Sequence, residues 1–449
     1  MRRKLGEEAI TYQHPKLKEP LERTLGIPVF QEQLMQMAMA IGGCSADDAD
    51  LLRRAMGSKR GQEKIASLKT TLYAGMASNG IVGDVADDLY GKIEAFANFG
   101  FAESHSLSFG LLVYASSWLR LHYPAAFLAS LLRAQPMGFY SPLSLVADAR
   151  RHGVEVRRPD ILRSGWQPGL EAGSAGLGET TPTGTDSCLD LHQPPVGPYD
   201  RHAHFDTDDH RRDGALAVRL GLAEVTGIGE TLAKKIVSDR EEGGDFTDLA
   251  ILVRRVGLST PQLEALAAAG AFESLGLSMR EALWAAGDAA RDREEFLAGS
   301  MVTVQPPLFS MPSTSEVLAS DLWATGISPD DHPLRYLRGA LRQRGALSSD
   351  DLKTAESGRR IEVGGVVTHR QRPATASGIT FMNLEDESGL VNVICSVGVW
   401  NRYRRIARDS PALIVRGILE RSPEGVTNLL ADRLEALPMS IRTSSRDFR

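Results

Sequence analysis

From Ile361 onward the apolar residues of this chain change period, and that switch limits the possible folds more than any other feature. Ile361-Glu-Val-Gly-Gly-Val-Val, Ile379-Thr-Phe-Met-Asn-Leu, Leu390-Val-Asn-Val-Ile, Ala412-Leu-Ile-Val-Arg-Gly-Ile-Leu and Thr427-Asn-Leu-Leu-Ala-Asp-Arg-Leu are short runs rich in β-branched residues, each expected to be a strand. Trp400-Asn-Arg-Tyr-Arg-Arg-Ile, between the third and fourth runs, reads as helix. Five strands with a helix in that place fit an OB-fold barrel, placed over 359–437 with a tail over 438–449. Arg370 and Arg372 flank its first loop, and Phe381 and Asn383 stand on its second strand, where such barrels stack and track single-stranded DNA. A barrel that binds only protein would present the same strands.

The first 134 residues carry the helical period instead. Pro28 is a good first helical residue, and Phe30, Leu34, Met37, Ala38 and Ile41 then recur on one face until Gly42-Gly43. Gln31 and Gln33 lie off that stripe, as solvated residues or as contacts to substrate or DNA. Ser45 followed by Asp48 is a capping-box pattern, and Ala49, Leu52 and Met56 share the face behind it. Arg53 and Arg54 ride on that helix's last turn, Gly57 ends it, and Lys59, Arg60 and Lys64 add charge against the acid Glu63. Cations favour helix C-termini in any case; a cluster this dense is also what gripping a triphosphate requires. Ile65, Leu68, Leu72 and Met76 mark a further helix. Asp84 with Asp87 is expected to cap another, lined by Leu89, Ile93 and Phe96. Leu107 to His122 is apolar almost all round, which predicts a buried helix ending before Pro124, with Ser104 and His105 at its mouth. A histidine there caps the helix or stands beside a phosphate drawn to the helix start.

Between these regions the composition shifts twice. Residues 135–166 begin a second helical region, and 167–214, rich in Gly, Pro, Thr, Asp and His, read as a flexible insert that cannot bury enough surface to order itself. Its Cys188, His192, His202, His204 and His210 are too irregularly spaced for a metal site. Over 215–276, Leu222-Ala-Glu-Val-Thr-Gly-Ile-Gly-Glu-Thr-Leu-Ala-Lys-Lys-Ile-Val has the form of a helix-hairpin-helix. Gly227 and Gly229 let the backbone approach a phosphate, while Lys234 and Lys235 follow the strand. Leu263-Glu-Ala-Leu-Ala-Ala-Ala-Gly-Ala-Phe reads as a degenerate second copy packed on the first. Residues 277–358 read as a connector.

Pro28-Val-Phe-Gln-Glu-Gln-Leu-Met-Gln, Leu51-Leu-Arg-Arg-Ala-Met-Gly, and Asn98-Phe-Gly-Phe-Ala-Glu-Ser-His-Ser-Leu-Ser-Phe-Gly, followed by Tyr114 and Leu121-His-Tyr-Pro-Ala-Ala-Phe, occur in one order with close spacing. Together they resemble the fingers of bacterial C-family DNA polymerases, the polymerase III alpha subunits, and Gly57-Ser58-Lys59-Arg60 with Glu103 is similar to the error-prone, damage-tolerant branch. The resemblance implies helical fingers over 1–134 and a multidomain α+β fold. It implies that Arg53, Arg54, Lys59, Arg60, Ser104 and His105 hold the incoming dNTP. It implies a DNA-directed DNA polymerase, a nucleotidyltransferase of DNA replication past damage and DNA repair, working on template-primer DNA. Gln305, Leu308 and Phe309 resemble the peptide that family members dock in the sliding clamp; other translesion polymerase partners are also expected. In that family a palm ahead of the fingers holds Mg2+ with carboxylates. None is found here, so no catalytic residue is assigned and the chain is expected to be inactive alone. The rival reading is a non-catalytic DNA-binding accessory protein.

Composition narrows the setting. A chain of 449 residues with 42% hydrophobic content suits about three ordinary domains. A net charge of -6 means that any grip on DNA comes from local clusters. Cys44, Cys188 and Cys395 offer no disulfide framework or zinc motif, and no run is apolar enough to span a membrane, which predicts a cytoplasmic protein.

Overall fold

The computed structural model describes residues 2–55, 61–95, 101–138, 140–174, 210–290, 311–373, 376–422, 425–439 and 446–448. It divides into two compact units, Met1–Trp118 and Leu119–Arg449.

In the first unit the Gln31–Gly42 helix buries Leu34, Met37, Ala38 and Ile41 in the core, as its period predicts. It starts three residues later than Pro28 suggested, because Gln33 folds back over the entering chain. The Gln33 Oε1 accepts the N–H groups of Val29 (2.9 Å) and Phe30 (3.1 Å), and Nε2 donates to the Pro20 carbonyl (3.0 Å) and Thr24 Oγ1 (2.7 Å). At 0% exposure Gln33 is a structural plug, which removes it as a substrate contact. The Ala46–Ala55 helix carries the expected capping box: Ser45 N–H donates to Asp48 Oδ2 at 2.9 Å and Asp48 N–H to Ser45 Oγ at 3.2 Å.

The next expected helix breaks at Leu68 into Gly61–Ser67 and Lys69–Ser78. Lys69–Ser78 crosses Gln31–Gly42 backbone to backbone, since a Cβ on Gly75 would lie 2.0 Å from the Gly42 carbonyl oxygen. In the Asp84–Ala95 helix, Asp87 does not cap as expected but accepts the Tyr73 hydroxyl at 2.6 Å.

The largest departure is the Glu103–His122 helix. It begins three residues before the Ser-His-Ser turn was expected to end, so Ser104 and His105 sit in its first turn. It is also not buried: Leu107, Leu111 and Tyr114 are 70, 73 and 81% exposed. An apolar period reports the surface a helix carries and not what covers it.

In the second unit, strands β1 (Val156–Arg157), β2 (Gly169–Ala172) and β3 (Leu216–Arg219) form a small sheet in the order β1-β3-β2. β2 lies inside the expected insert, and Asp213 caps the Pro124–Arg133 helix, Oδ2 accepting Ala125 N–H at 2.8 Å and Ala126 N–H at 3.0 Å. Both edges of that stretch are therefore built into the fold; 175–209, with Cys188, His192, His202 and His204, lie outside the described residues. The helices Gly229–Gly243, Leu249–Val256, Thr260–Ala268 and Met279–Ala289 share one core around Leu252, Leu263, Leu266 and Phe272. Ala282, Ala286 and Ala324 enter the same core, so the expected connector is folded from its first helix.

β4 (Arg360–Gln371), β5 (Thr380–Glu385), β6 (Leu390–Cys395), β7 (Ala412–Arg421) and β8 (Thr427–Ala436) run in the order β5-β6-β8-β7-β4, and β4 pairs back onto β5 to close a five-stranded barrel. Closure depends on β4 serving two partners. Its first seven residues pair with β7 and its last with β5, across a register shift at Val367/His369. A short β9 (Arg446–Phe448) adds parallel to β4 in the expected tail. The barrel is tied to the preceding helices through Glu385, whose Oε2 accepts Ser144 Oγ–H at 2.7 Å, and through the Arg338–Asp386 pair at 2.7 Å.

Candidate nucleic-acid interface

The hairpin before Gly229–Gly243 is the most open backbone among the expected sites. Gly227 (φ +79°) and Gly229 (φ +61°) are left-handed, and a side chain at either would meet nothing within 4 Å. Ile228, the N-cap, offers no side-chain hydrogen bond to the first amides of the helix, and Gly227, Gly229 and Glu230 around it are exposed, an arrangement in which an anion is favoured at the helix start. The two lysines behave differently from expectation. Lys235 donates to the Val256 carbonyl at 2.7 Å, satisfying the end of the Leu249–Val256 helix. Lys234 pairs with Glu230 at 2.5 Å and stands 4.3 Å above the Trp166 ring. Backbone, more than lysine charge, is what this hairpin presents.

On the barrel, register lines up an outward strip. Phe381 on β5 faces Gln371 on β4 and Ile394 on β6, and Ile394 faces Leu430 on β8, which faces Ile418 on β7. The next row is Asn383, Asn392 and Asn428, with Asn383 Nδ2 donating to Asn392 Oδ1 at 3.0 Å. Phe381 is 36% exposed, enough ring for a base to stack on. Arg372 is exposed beside it. Arg370 is not: it is 5% exposed, donating to the carbonyls of Ala407 (2.6 Å) and Ser410 (2.5 Å). The structure thus removes Arg370 from the DNA-contacting set and gives it a structural role.

In the fingers, Arg53 and Arg54 are solvent-facing and converge on one carboxylate, Asp50, with Arg53 Nη2 and Arg54 Nε at 2.8 and 2.9 Å. His105 lies edge-on to Phe101 and tilted on Phe109, with ring centroids 5.2 and 4.3 Å away. The helix start beside it is already occupied, because Glu32 Oε2 accepts Glu103 N–H at 3.0 Å and Glu103 pairs with Arg23 at 2.7 Å. Among the described residues, no hydrogen bond, ion pair or ring contact joins Arg53 or Arg54 to Ser104 or His105. Lys59, Arg60, Gln305, Leu308 and Phe309 lie outside the described residues.

Residues 1–80 match the family model for the bacterial DNA polymerase III alpha subunit finger domain, and 153–282 match that for the helix-hairpin-helix motif. The chain is similar to bacterial DNA polymerase III alpha subunits over its finger domain. Over its whole length it is 58% identical to the error-prone DNA polymerase of Cutibacterium acnes, 48% to that of Nocardia farcinica and 46% to that of Mycobacterium tuberculosis. It spans 40, 36 and 37% of those relatives. A solved asparaginyl-tRNA synthetase from Pyrococcus horikoshii matches 21% of the chain and 23% of its own at 17% identity, with a TM-score of 0.18.

Among the described residues, no three His, Cys, Asp or Glu side chains gather to hold a metal. No helix among them is long and apolar enough to cross a membrane. Sequence reading missed the Asn392–Asn428 continuation of the Asn383 row and the arginines of the barrel helix. The alternation of β6 and β8 carried the first signal, and the run Arg402-Tyr-Arg-Arg the second.

Proposed function

We propose that this chain supplies the nucleotide-entry and DNA-gripping parts of an error-prone DNA-directed DNA polymerase, a cytoplasmic nucleotidyltransferase that copies template-primer DNA past damage. The reading rests on one observation above others: an open Gly227–Gly229 hairpin, in a chain matched from end to end by error-prone DNA polymerases. The hairpin amides hold a duplex phosphate without reading sequence. Arg372, Phe381 and Asn383 hold unpaired template on the barrel, and Arg53, Arg54, Lys59, Arg60, Ser104 and His105 receive the dNTP. Positive side chains there offset the charge that builds on the leaving pyrophosphate. Gln305, Leu308 and Phe309 dock in a sliding clamp. The family resemblance implies that Mg2+ is held by carboxylates of a palm, and none is assigned in this sequence, so the 449-residue chain is expected to bind primer-template without extending it.

The test is anisotropy with a labelled primer-template, followed by primer extension. Salt-sensitive binding that Gly227→Ala/Gly229→Ala weakens, without extension, is the expected result. Binding unchanged by that variant would remove the hairpin from the reading. Template-dependent synthesis by the chain alone would overturn its predicted inactivity.

A further inference from the structure

The barrel helix between β6 and β7 carries more positive charge than any neighbouring element, and none of it is absorbed by the functions above. It consists of two short helices, Val397–Arg402 and Arg404–Asp409. Residues 396–410 hold four arginines and one acid, in a chain whose net charge is -6. The acid is used locally, Arg408 pairing with Asp409 at 2.7 Å. Arg402, Arg404 and Arg405 are exposed, and no described carboxylate forms an ion pair with them. Arg402 leans over its neighbour Tyr403, 5.5 Å from the ring centre.

Two relationships bring the start of this helix to the strand that carries Phe381, and a third fixes its end to β4. Thr380 pairs with Cys395, so the helix leaves β6 where β5 begins. A Cβ on Gly378 would lie 3.1 Å from Val397 Cγ2 and 3.4 Å from Arg372 Nη2, so the start of the helix and Arg372 meet at that glycine. The buried Arg370 then fixes the far end of the helix through the Ala407 and Ser410 carbonyls.

We propose that Arg402, Arg404 and Arg405, with Arg372, form a phosphate-tracking rim for single-stranded nucleic acid, running beside the Phe381 and Asn383 face. The inference rests on the barrel reading above and adds to it the residues that carry the electrostatic share. An exposed ring and a row of amides next to guanidinium groups held in no ion pair is the pairing a single strand uses, bases on the aromatic side and phosphates on the cations. An acidic protein would use the cations and leave the ring and amides without a purpose.

The experiment uses the full 449-residue chain and fluorescein-labelled oligo-dT, titrated over a series of salt concentrations. For single strands each phosphate contact contributes about 0.7 to the slope of log K against log salt. Arg402→Gln/Arg404→Gln/Arg405→Gln is therefore expected to lower that slope by about 2. The matching triple Lys variant should keep it, and Phe381→Ala should weaken binding with the slope intact. If the triple Gln variant does not fold, Arg404→Gln alone should lower the slope by about 0.7. Should Phe381→Ala weaken binding while the Gln variants keep the wild-type slope, the rim falls and the barrel reading stands. Should the wild-type chain and Phe381→Ala bind oligo-dT equally poorly, the barrel reading itself fails. Arginine-dependent binding of a poly-glutamate peptide but not of oligo-dT would make the rim a protein-docking surface and overturn the proposal.

Discussion

Arg370 donates from Nε to the carbonyl of Ala407 at 2.6 Å, so a residue of β4 closes the end of the helix between β6 and β7. The last carbonyls of a helix have no partner within it, and a guanidinium is well suited to them in charge and in geometry. Replacing Arg370 with Met would keep most of the apolar stem and leave the Ala407 and Ser410 oxygens unsatisfied. A loss of about 1–3 kcal/mol in folding free energy is expected, seen as a lower urea midpoint with an unchanged slope. An unchanged midpoint would mean that water replaces the guanidinium without cost.

His332 gives the second unit a dependence on acid. Burial pushes its pKa down to about 4, winning against the negative charges of Glu387 and Asp386, and its Nδ1 accepts the Leu334 N–H at 3.2 Å, which requires that nitrogen to be unprotonated. The unfolded chain therefore binds a proton that the folded chain refuses. The stability is fully present above the ordinary histidine value of 6.5 and is lost as pH falls toward about 4. The loss is on the order of 3 kcal/mol. Asn at 332 can accept the same N–H and cannot titrate. The stability of wild type minus that of His332→Asn in urea unfolding should fall from about pH 7 to about pH 4.5; a constant difference would count against a neutral buried imidazole.

In the fingers, Gly42 and Gly75 allow two helices to touch along their backbones. A Cβ at position 75 would meet Gly42 O at 2.0 Å and Gly42 C at 2.1 Å, neither of which can rotate away. Gly75→Ala should cost more than the gain in helix propensity of about 1 kcal/mol, because overpacking of this kind costs about 1–3 kcal/mol or more. Thermal unfolding of this variant is expected at a lower temperature than wild type. Gly91→Ala makes the contrast, since that glycine also lies inside a helix, Asp84–Ala95, but has nothing within 4 Å of a new Cβ.

Why some of this was legible in the sequence and some was not follows from the range of each signal. Capping boxes and strand alternation are local, so Ser45 with Asp48, and the runs that became β4 to β8, could be read directly. Gln33, Arg370 and Lys235 were misread for one shared reason. Each is a polar side chain that donates to a main-chain carbonyl 13 to 40 residues away, and no periodicity encodes that. The exposed Glu103–His122 helix fails differently: its composition states that something should cover it, without stating what.

Asp50 sets the condition under which the fingers cluster can serve a nucleotide. Its two oxygens hold Arg53 and Arg54 on the surface, and exposed pairs of this kind contribute about 1 kcal/mol or less, so a triphosphate with several negative charges can displace the carboxylate. Removing the competitor and removing the cations should therefore act in opposite directions. Asp50→Asn is expected to tighten dATP binding to the full chain in calorimetric titration. Arg53→Ala and Arg54→Ala should each weaken it by about 1.5–3 kcal/mol, the worth of a hydrogen bond to a charged group. A merely structural pairing predicts another pattern: all three variants would lower the melting temperature of the first unit together and leave the dATP titration unmoved. That result would separate the arginines from the nucleotide and leave them as the end of a well-capped helix.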